Sequence, residues 1–221
     1  MHTRTILDRQ LSEMNTDIIR LSSMVQTSLQ QAMDALYDRD TPLAEEVIAA
    51  DEEINAVRYE VEQDALLILA RQQPAASDLR TVVAAIHLAT ELERIGDHAS
   101  GIARLVRRMQ GEPEIDSLYK LPKMAKRALK MVDTAVQAYI ERDTEMAESV
   151  LDRDAKIDKH YRKLFRETLE EMRDEDYLRR STYLLWVGHN LERVGDRAIN
   201  IAERVIFMTT GVFVEDEVTF D

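Results

Sequence analysis

The chain has no cysteine among its 221 residues. Disulfides, thiolate metal sites and cysteine nucleophiles are therefore excluded, and a reducing compartment is the natural expectation. Glycine (6), proline (4) and aromatic residues (5%) are scarce. Such a composition reads as helical and globular. Long apolar runs are missing: "TVVAAIHLAT", which begins at Thr81, is half the length that a membrane span needs. "MHTRTILDRQ" carries charge with no apolar core behind it, so no signal peptide is expected. Positive charge is in deficit, at a net −13. A nucleic-acid binder would need a basic face to release phosphate counterions, so no nucleic-acid partner is expected, and no general attraction to anionic lipid. There is also no glycine-rich phosphate loop and no nucleophile elbow, so nothing supports nucleophilic catalysis.

What is present is a repeat. "ELERIGDHASGIARLV" from Glu91 and "NLERVGDRAINIAERV" from Asn190 share nine of sixteen residues, where unrelated segments would share about one. "RDTPLAEEVIAADEEI" from Arg39 and "RDTEMAESVLDRDAKI" from Arg142 share eight of sixteen. The offset is 103 in this pair and 99 in the first, and the loop "RQQPAASD" before Leu79 is expected to absorb the difference against the shorter "MRDED" before Leu178. The chain is thus predicted to be all-α, two pseudo-symmetric three-helix bundles from an internal duplication, spanning 1–112 and 117–212, with an acidic tail at 213–221. In the first bundle, Leu11, Met14, Ile18, Leu21, Val25 and Leu29 mark a helix over Arg4–Arg39. A second runs to Gln72, with Thr41 as its cap and Pro42 at its first position. A third runs to Gln110. The second bundle is expected to repeat the plan over Leu118–Arg142, Thr144–Arg173 and Asp176–Thr210.

In the repeated motif Glu93 and Asp97 lie four apart, as do Glu192 and Asp196. That spacing stacks two like charges on one helix face, which is unfavourable by a few tenths of a kcal/mol. A cation between them would explain its use twice. The second helix of the second unit offers a matching pair, Asp154 and Asp158; the first unit offers Asp51 and Asn55. These are hard oxygen donors, suited to magnesium, calcium, manganese or iron. His189, three residues before Glu192, could add a nitrogen ligand and favour iron or zinc. The competing reading is a solvated or salt-bridged face, with Arg94 and Arg193 pairing acids across the bundle. Gly96 and Gly195 cost about 1 kcal/mol each inside a helix; they serve either close helix packing or room for a ligand. The run "KLPKMAKRALK" from Lys120 is either a solvated face or a docking patch for an acidic partner. Ferritin-like sites place histidine three after a glutamate, and neither copy does.

"QPAASDLR" followed by "ELERIGDHASGIAR" and then "LERVGDRAINIAE" resembles the PhoU family over nearly the whole chain. The resemblance implies a non-enzymatic, cytoplasmic regulator of phosphate homeostasis. It implies a homodimer, peripheral at the membrane face through its partners, the ATPase subunit of a phosphate ABC transporter and a sensor histidine kinase. Such a protein represses the phosphate-starvation response and restrains uptake when phosphate is plentiful. The resemblance further implies, as in some members of the family, iron or zinc on paired acidic motifs, with manganese or magnesium also open to such oxygen donors: Asp51, Glu93 and Asp97 in the first unit, and Asp154, Asp158, Glu192 and Asp196 in the second. Asn55 departs from that pattern, so the second bundle is expected to hold metal more firmly. The alternative is a carboxylate-bridged metal-storage or oxidase-like helical protein.

Overall fold

The computed structural model describes residues 2–113, 118–152 and 154–214, with side chains from residue 5 onward except 154–156. The element order is α1 (His2–Asp38), α2 (Thr41–Gln72), α3 (Ala76–Arg108), α4 (Leu121–Glu141), α5 (Thr144–Leu151), α6 (Asp154–Glu171), a 3₁₀ turn (Glu175–Tyr177) and α7 (Leu178–Thr210). Helices α1–α3 form one bundle and α4–α7 the other. The α1 stripe Met14, Ile18, Leu21, Val25 and Leu29 is fully buried. The two bundles share one continuous apolar core, because α3 packs along α7 and α1 along α4.

The helix starts differ from the sequence expectation in one respect. Thr41 is not the cap of α2: the Asp40 carboxylate accepts from the Leu43 N–H at 3.0 Å, and Thr41 is already helical. Asp143 caps α5 in the same way, accepting from Met146 N–H at 2.9 Å. Each cap follows an arginine with positive φ, Arg39 (54°) and Arg142 (55°), which ends the preceding helix. Aspartate is the better N-cap acceptor, and Pro42 tolerates the first turn since it has no N–H to satisfy. Changing Asp40 to alanine is expected to cost about 1 kcal/mol, seen as a lowered thermal midpoint. Asp143→Ala should match it.

The second unit is not a copy in its middle helix. The helix predicted over Thr144–Arg173 is two helices, ending at Leu151 and restarting at Asp154. Here the first unit has "AADEEIN" and the second "DRDAKID". Aspartate competes with helical hydrogen bonding through its short side chain and favours ends. The length difference between units is also placed differently. The link between α2 and α3 is only 73–75, whereas 172–177 follow α6. The four surplus residues are the last turn of α2, 69–72. A whole turn can be added without rotating the buried face.

Candidate functional site

The two copies of the glutamate–glycine–aspartate motif lie on α3 and α7, which run antiparallel against each other in a symmetric register. His98 Nδ1 lies 3.0 Å from Asn190 Oδ1. Arg197 donates to Glu91 Oε2 at 3.2 Å, and Asn200 Nδ2 donates to the same oxygen at 3.2 Å. Glu91 is the counterpart of Asn190, and His98 of Arg197, so each pair is the other's image across a pseudo-twofold axis. The axis extends along the whole seam: Arg80 at the start of α3 donates to Met208 O near the end of α7 at 3.0 Å. Its counterpart Arg179 pairs with Glu112 beyond the end of α3 at 3.4 Å. This seam was not read from the sequence, although the alignment held the signal in those two pairs of counterparts.

The glycines take the packing role. A Cβ on Gly96 would lie 3.1 Å from both Cδ1 and Cγ2 of Ile54 on α2. A Cβ on Gly195 would lie 3.1 Å from Ile157 Cδ1 on α6. Ile54 and Ile157 are themselves equivalent in the repeat. Each isoleucine sits between the two acidic positions of its helix, 51 and 55 or 154 and 158, and each glycine between 93 and 97 or 192 and 196. In the first bundle this close approach sets Asp51 beside Glu93 and Asp97.

In the first bundle Asp51, Glu93 and Asp97 feel one another. Burial pushes the Asp51 carboxyl above its usual range, Asp97 adds to this, and Arg104 opposes it. Burial and then Asp97 raise Glu93, with Arg58 and Arg94 pulling it back and Asp51 adding. Asn55 turns its amide to its own helix, donating to Asp51 O at 3.1 Å. In the second bundle the half-buried Glu192 and Asp196 have partners on their own helix: His189 Nδ1 is 3.0 Å from Glu192, and Arg193 Nη1 is 3.3 Å from Asp196. Asp158 is half-buried on α6, while the Asp154 side chain lies outside the described residues. Tyr161, absent from the sequence-derived set, faces Glu192; burial and then that carboxylate raise its phenol. Among the described residues, no three His, Asp or Glu side chains converge closely enough to hold a metal ion as placed. The donor chemistry still suits a hard cation, since the first bundle crowds three carboxyl groups whose ionised forms repel one another.

This crowding has a defined pH signature. A carboxyl raised in the folded state costs stability once ionised, so the cost is absent below the ordinary carboxylate value near pH 4 and fully present above the raised native one. Asp51→Asn is thus expected to stabilise the metal-free protein by about 0.5 kcal/mol at pH 7 and to leave it unchanged at pH 3. Thermal midpoints at the two pH values measure this.

The fold and the paired motifs define the class first: a duplicated three-helix bundle with one acidic motif per half. A family model described as the PhoU domain matches residues 18–106 and again 121–205. The chain is 34% identical over 211 residues to the phosphate-specific transport system accessory protein PhoU homolog of Clostridium acetobutylicum, covering 95% of this chain and 96% of that one. It resembles the crystal structure of PhoU from Pseudomonas aeruginosa with a TM-score of 0.88 at 33% identity, over 93% of this chain and 99% of that one. The crystal structure of the phosphate transport system regulatory protein PhoU from Streptococcus pneumoniae gives 0.87 at 30% identity, over 95% and 99%. The chain belongs to the PhoU family. Its two matched repeats begin 103 residues apart and end 99 apart, the same two offsets that the internal alignment found.

Proposed function

We propose that this protein is a regulatory adaptor of phosphate homeostasis, working on the cytoplasmic side as a homodimer. In this reading it links the ATPase subunit of a phosphate ABC transporter to a sensor histidine kinase. It keeps starvation genes off and restrains uptake when phosphate is plentiful. The observation that carries the reading is the near full-length match, both repeats in order, to proteins named as accessory to or regulatory of phosphate transport. No described helix is long and apolar enough to cross a membrane. An adaptor of this kind can shift a kinase only by its differential affinity for the two kinase states, and the transporter's phosphate state has to change which complex forms. The test is gene deletion with a phosphate-starvation reporter in high phosphate, together with co-purification from membranes. A reporter that stays off, or a preparation lacking both the ATPase and the kinase, counts against the reading.

A second reading adds metal, because three carboxyl groups crowd at Asp51, Glu93 and Asp97. A divalent cation there, or at Asp154, Asp158, Glu192 and Asp196, would offset the repulsion. In the second bundle it would displace Arg193 from Asp196, with His189 available as a further ligand. Elemental analysis of protein purified without chelator tests this, and oxygen consumption with ferrous iron separates a structural metal from an oxidase. Equal metal content at the two bundles would overturn the expectation that the second binds more firmly.

A further inference from the structure

The two bundles have diverged in charge far more than in shape. Residues 1–112 carry 11 arginines against 19 acidic residues, and residues 117–212 carry 18 basic against 17 acidic; all seven lysines lie between 120 and 163. The inversion is local. On the outer edge of α1 and α2, Asp17 lies among Glu13, Glu60 and Asp64, with Arg20 beside them; burial, then Asp64 and Glu60, raise its carboxyl. The equivalent edge of α4 and α6 is basic. Lys120, Lys123, Arg127 and Lys159 surround the half-buried His160, whose imidazole is lowered by burial and then by these four cations. Position by position, Lys120 replaces Asp17 and Lys163 replaces Glu60, while Glu167 keeps the charge of Asp64 and pairs with Lys163 at 3.5 Å. Among the described residues, no ion pair engages Lys120, Lys123, Arg127 or Lys159. Between these two edges, along the pseudo-twofold axis, α1 and α4 leave a two-part groove of about 300 and 410 Å³. Ile19, Val136 and Ile140 share one part with Ser22, Gln26 and Gln137, and Met33, Tyr37 and Leu129 share the other with Gln30 and Lys126; Ile19 and Tyr37 are exposed.

We propose that the α1/α4 face is where a second copy of this chain docks, with the acidic edge of each copy on the basic edge of the other. The inference rests on the homodimer reading above and adds its surface. A centre of mixed apolar and polar side chains is the ordinary composition of a non-obligate interface. The symmetry supplies the complementarity: a twofold axis perpendicular to the internal one, lying in this face, brings Asp17 and Glu60 of one copy against Lys120 and Lys163 of its partner, and does so twice. An extended polyanion such as a bilayer or a nucleic acid fits less well, because it would meet the acidic edge as well as the basic one.

The test is sedimentation equilibrium of the full chain and of charge reversals. Glu60 and Lys163 are about half exposed and hold only solvent-screened pairs with Arg20 at 3.3 Å and Glu167 at 3.5 Å, which are worth little to stability, so Glu60→Lys and Lys163→Glu leave the fold intact, checked by thermal midpoints. Each is expected to raise the dimer dissociation constant about tenfold or more. The double variant restores it, since both partners change sign together. Glu45→Lys, on the α2–α3 side where Glu45 pairs with Arg107 at 3.2 Å, changes nothing. A wild type that remains monomeric overturns both this surface and the homodimer reading. A dimer indifferent to the reversals, or one the double variant fails to restore, overturns the surface alone.

Discussion

Glu171→Met is expected to lower the stability of this protein by about 3 kcal/mol, a fall in thermal midpoint of about 6–12 °C for a chain of this size. Glu171 ends α6 and ties together three elements. The guanidinium of Arg180 on α7 lies 3.0 Å from its Oε2, with the arginine side chain only 4% exposed. Ser181 donates to the same oxygen at 3.2 Å, and the Tyr119 phenol, before α4, lies beside the same carboxylate. Burial works against the ionised Glu171, but the hydrogen bonds from Tyr119, Arg180 and Ser181 hold its carboxyl below the usual value. The two ends of the ion pair are not equivalent. Removing the glutamate leaves a buried guanidinium that cannot shed its proton. Removing the arginine leaves a carboxylate one-third exposed, which can turn to water. Arg180→Met should therefore cost about half as much. The lowered carboxyl also fixes the pH sign: its contribution is present above the ordinary carboxylate range and is lost as pH falls through the native value. The gap between wild type and Glu171→Met closes in acid. Denaturant unfolding at pH 7 and pH 3 measures all three statements.

Ile54→Ala is the second large effect, expected at about 3 kcal/mol, since a fully buried side chain leaves a cavity the helices cannot fill. Its more telling consequence is at Gly96. In the wild type, Gly96→Ala gains about 1 kcal/mol of helix propensity and loses a similar amount by pressing a methyl group into Ile54, for a net near zero. With Ile54 already alanine, the same change meets open space and gains about 1 kcal/mol. The coupling of about 1 kcal/mol is measured by a double-mutant cycle in urea. Equal effects of Gly96→Ala in both backgrounds would show that Ile54 and Gly96 do not share the contact. Ile157 and Gly195 should repeat the result in the second bundle.

The duplication, the all-α class and the buried stripe of α1 were legible because each is written in a local period or an internal alignment. So was the meaning of Gly96 as one of two options; only the position of Ile54 decides between them. The break between α5 and α6 was hidden because apolar periodicity continues through Ile157, while the interruption depends on aspartates whose preference for helix ends is weak evidence in one window. The cap at Asp40 was missed because Thr41 and Pro42 made an equally good start one residue later. Glu171, Arg180, Ser181 and Tyr119 could not be grouped at all: they come from α6, α7 and the turn before α4, and nothing in their spacing announces a shared carboxylate. The acidic positions were found by spacing, but their actual partners were not. His189 and Arg193 bind within their own helix turn, and Asn55 turns back to its own backbone.

The seam between α3 and α7 uses a freedom that two identical subunits lack. A contact between two identical subunits must carry the same residue at both symmetry-related places, so whatever faces position 98 must also serve at its image. Here one place holds Glu91 with Arg197, and its image holds Asn190 with His98. Such a division is open only to halves joined in a single polypeptide, where a change in one is not copied into the other. The result is a charged pair at one end of the seam and a neutral one at the other, which gives a nearly symmetric body a distinguishable left and right.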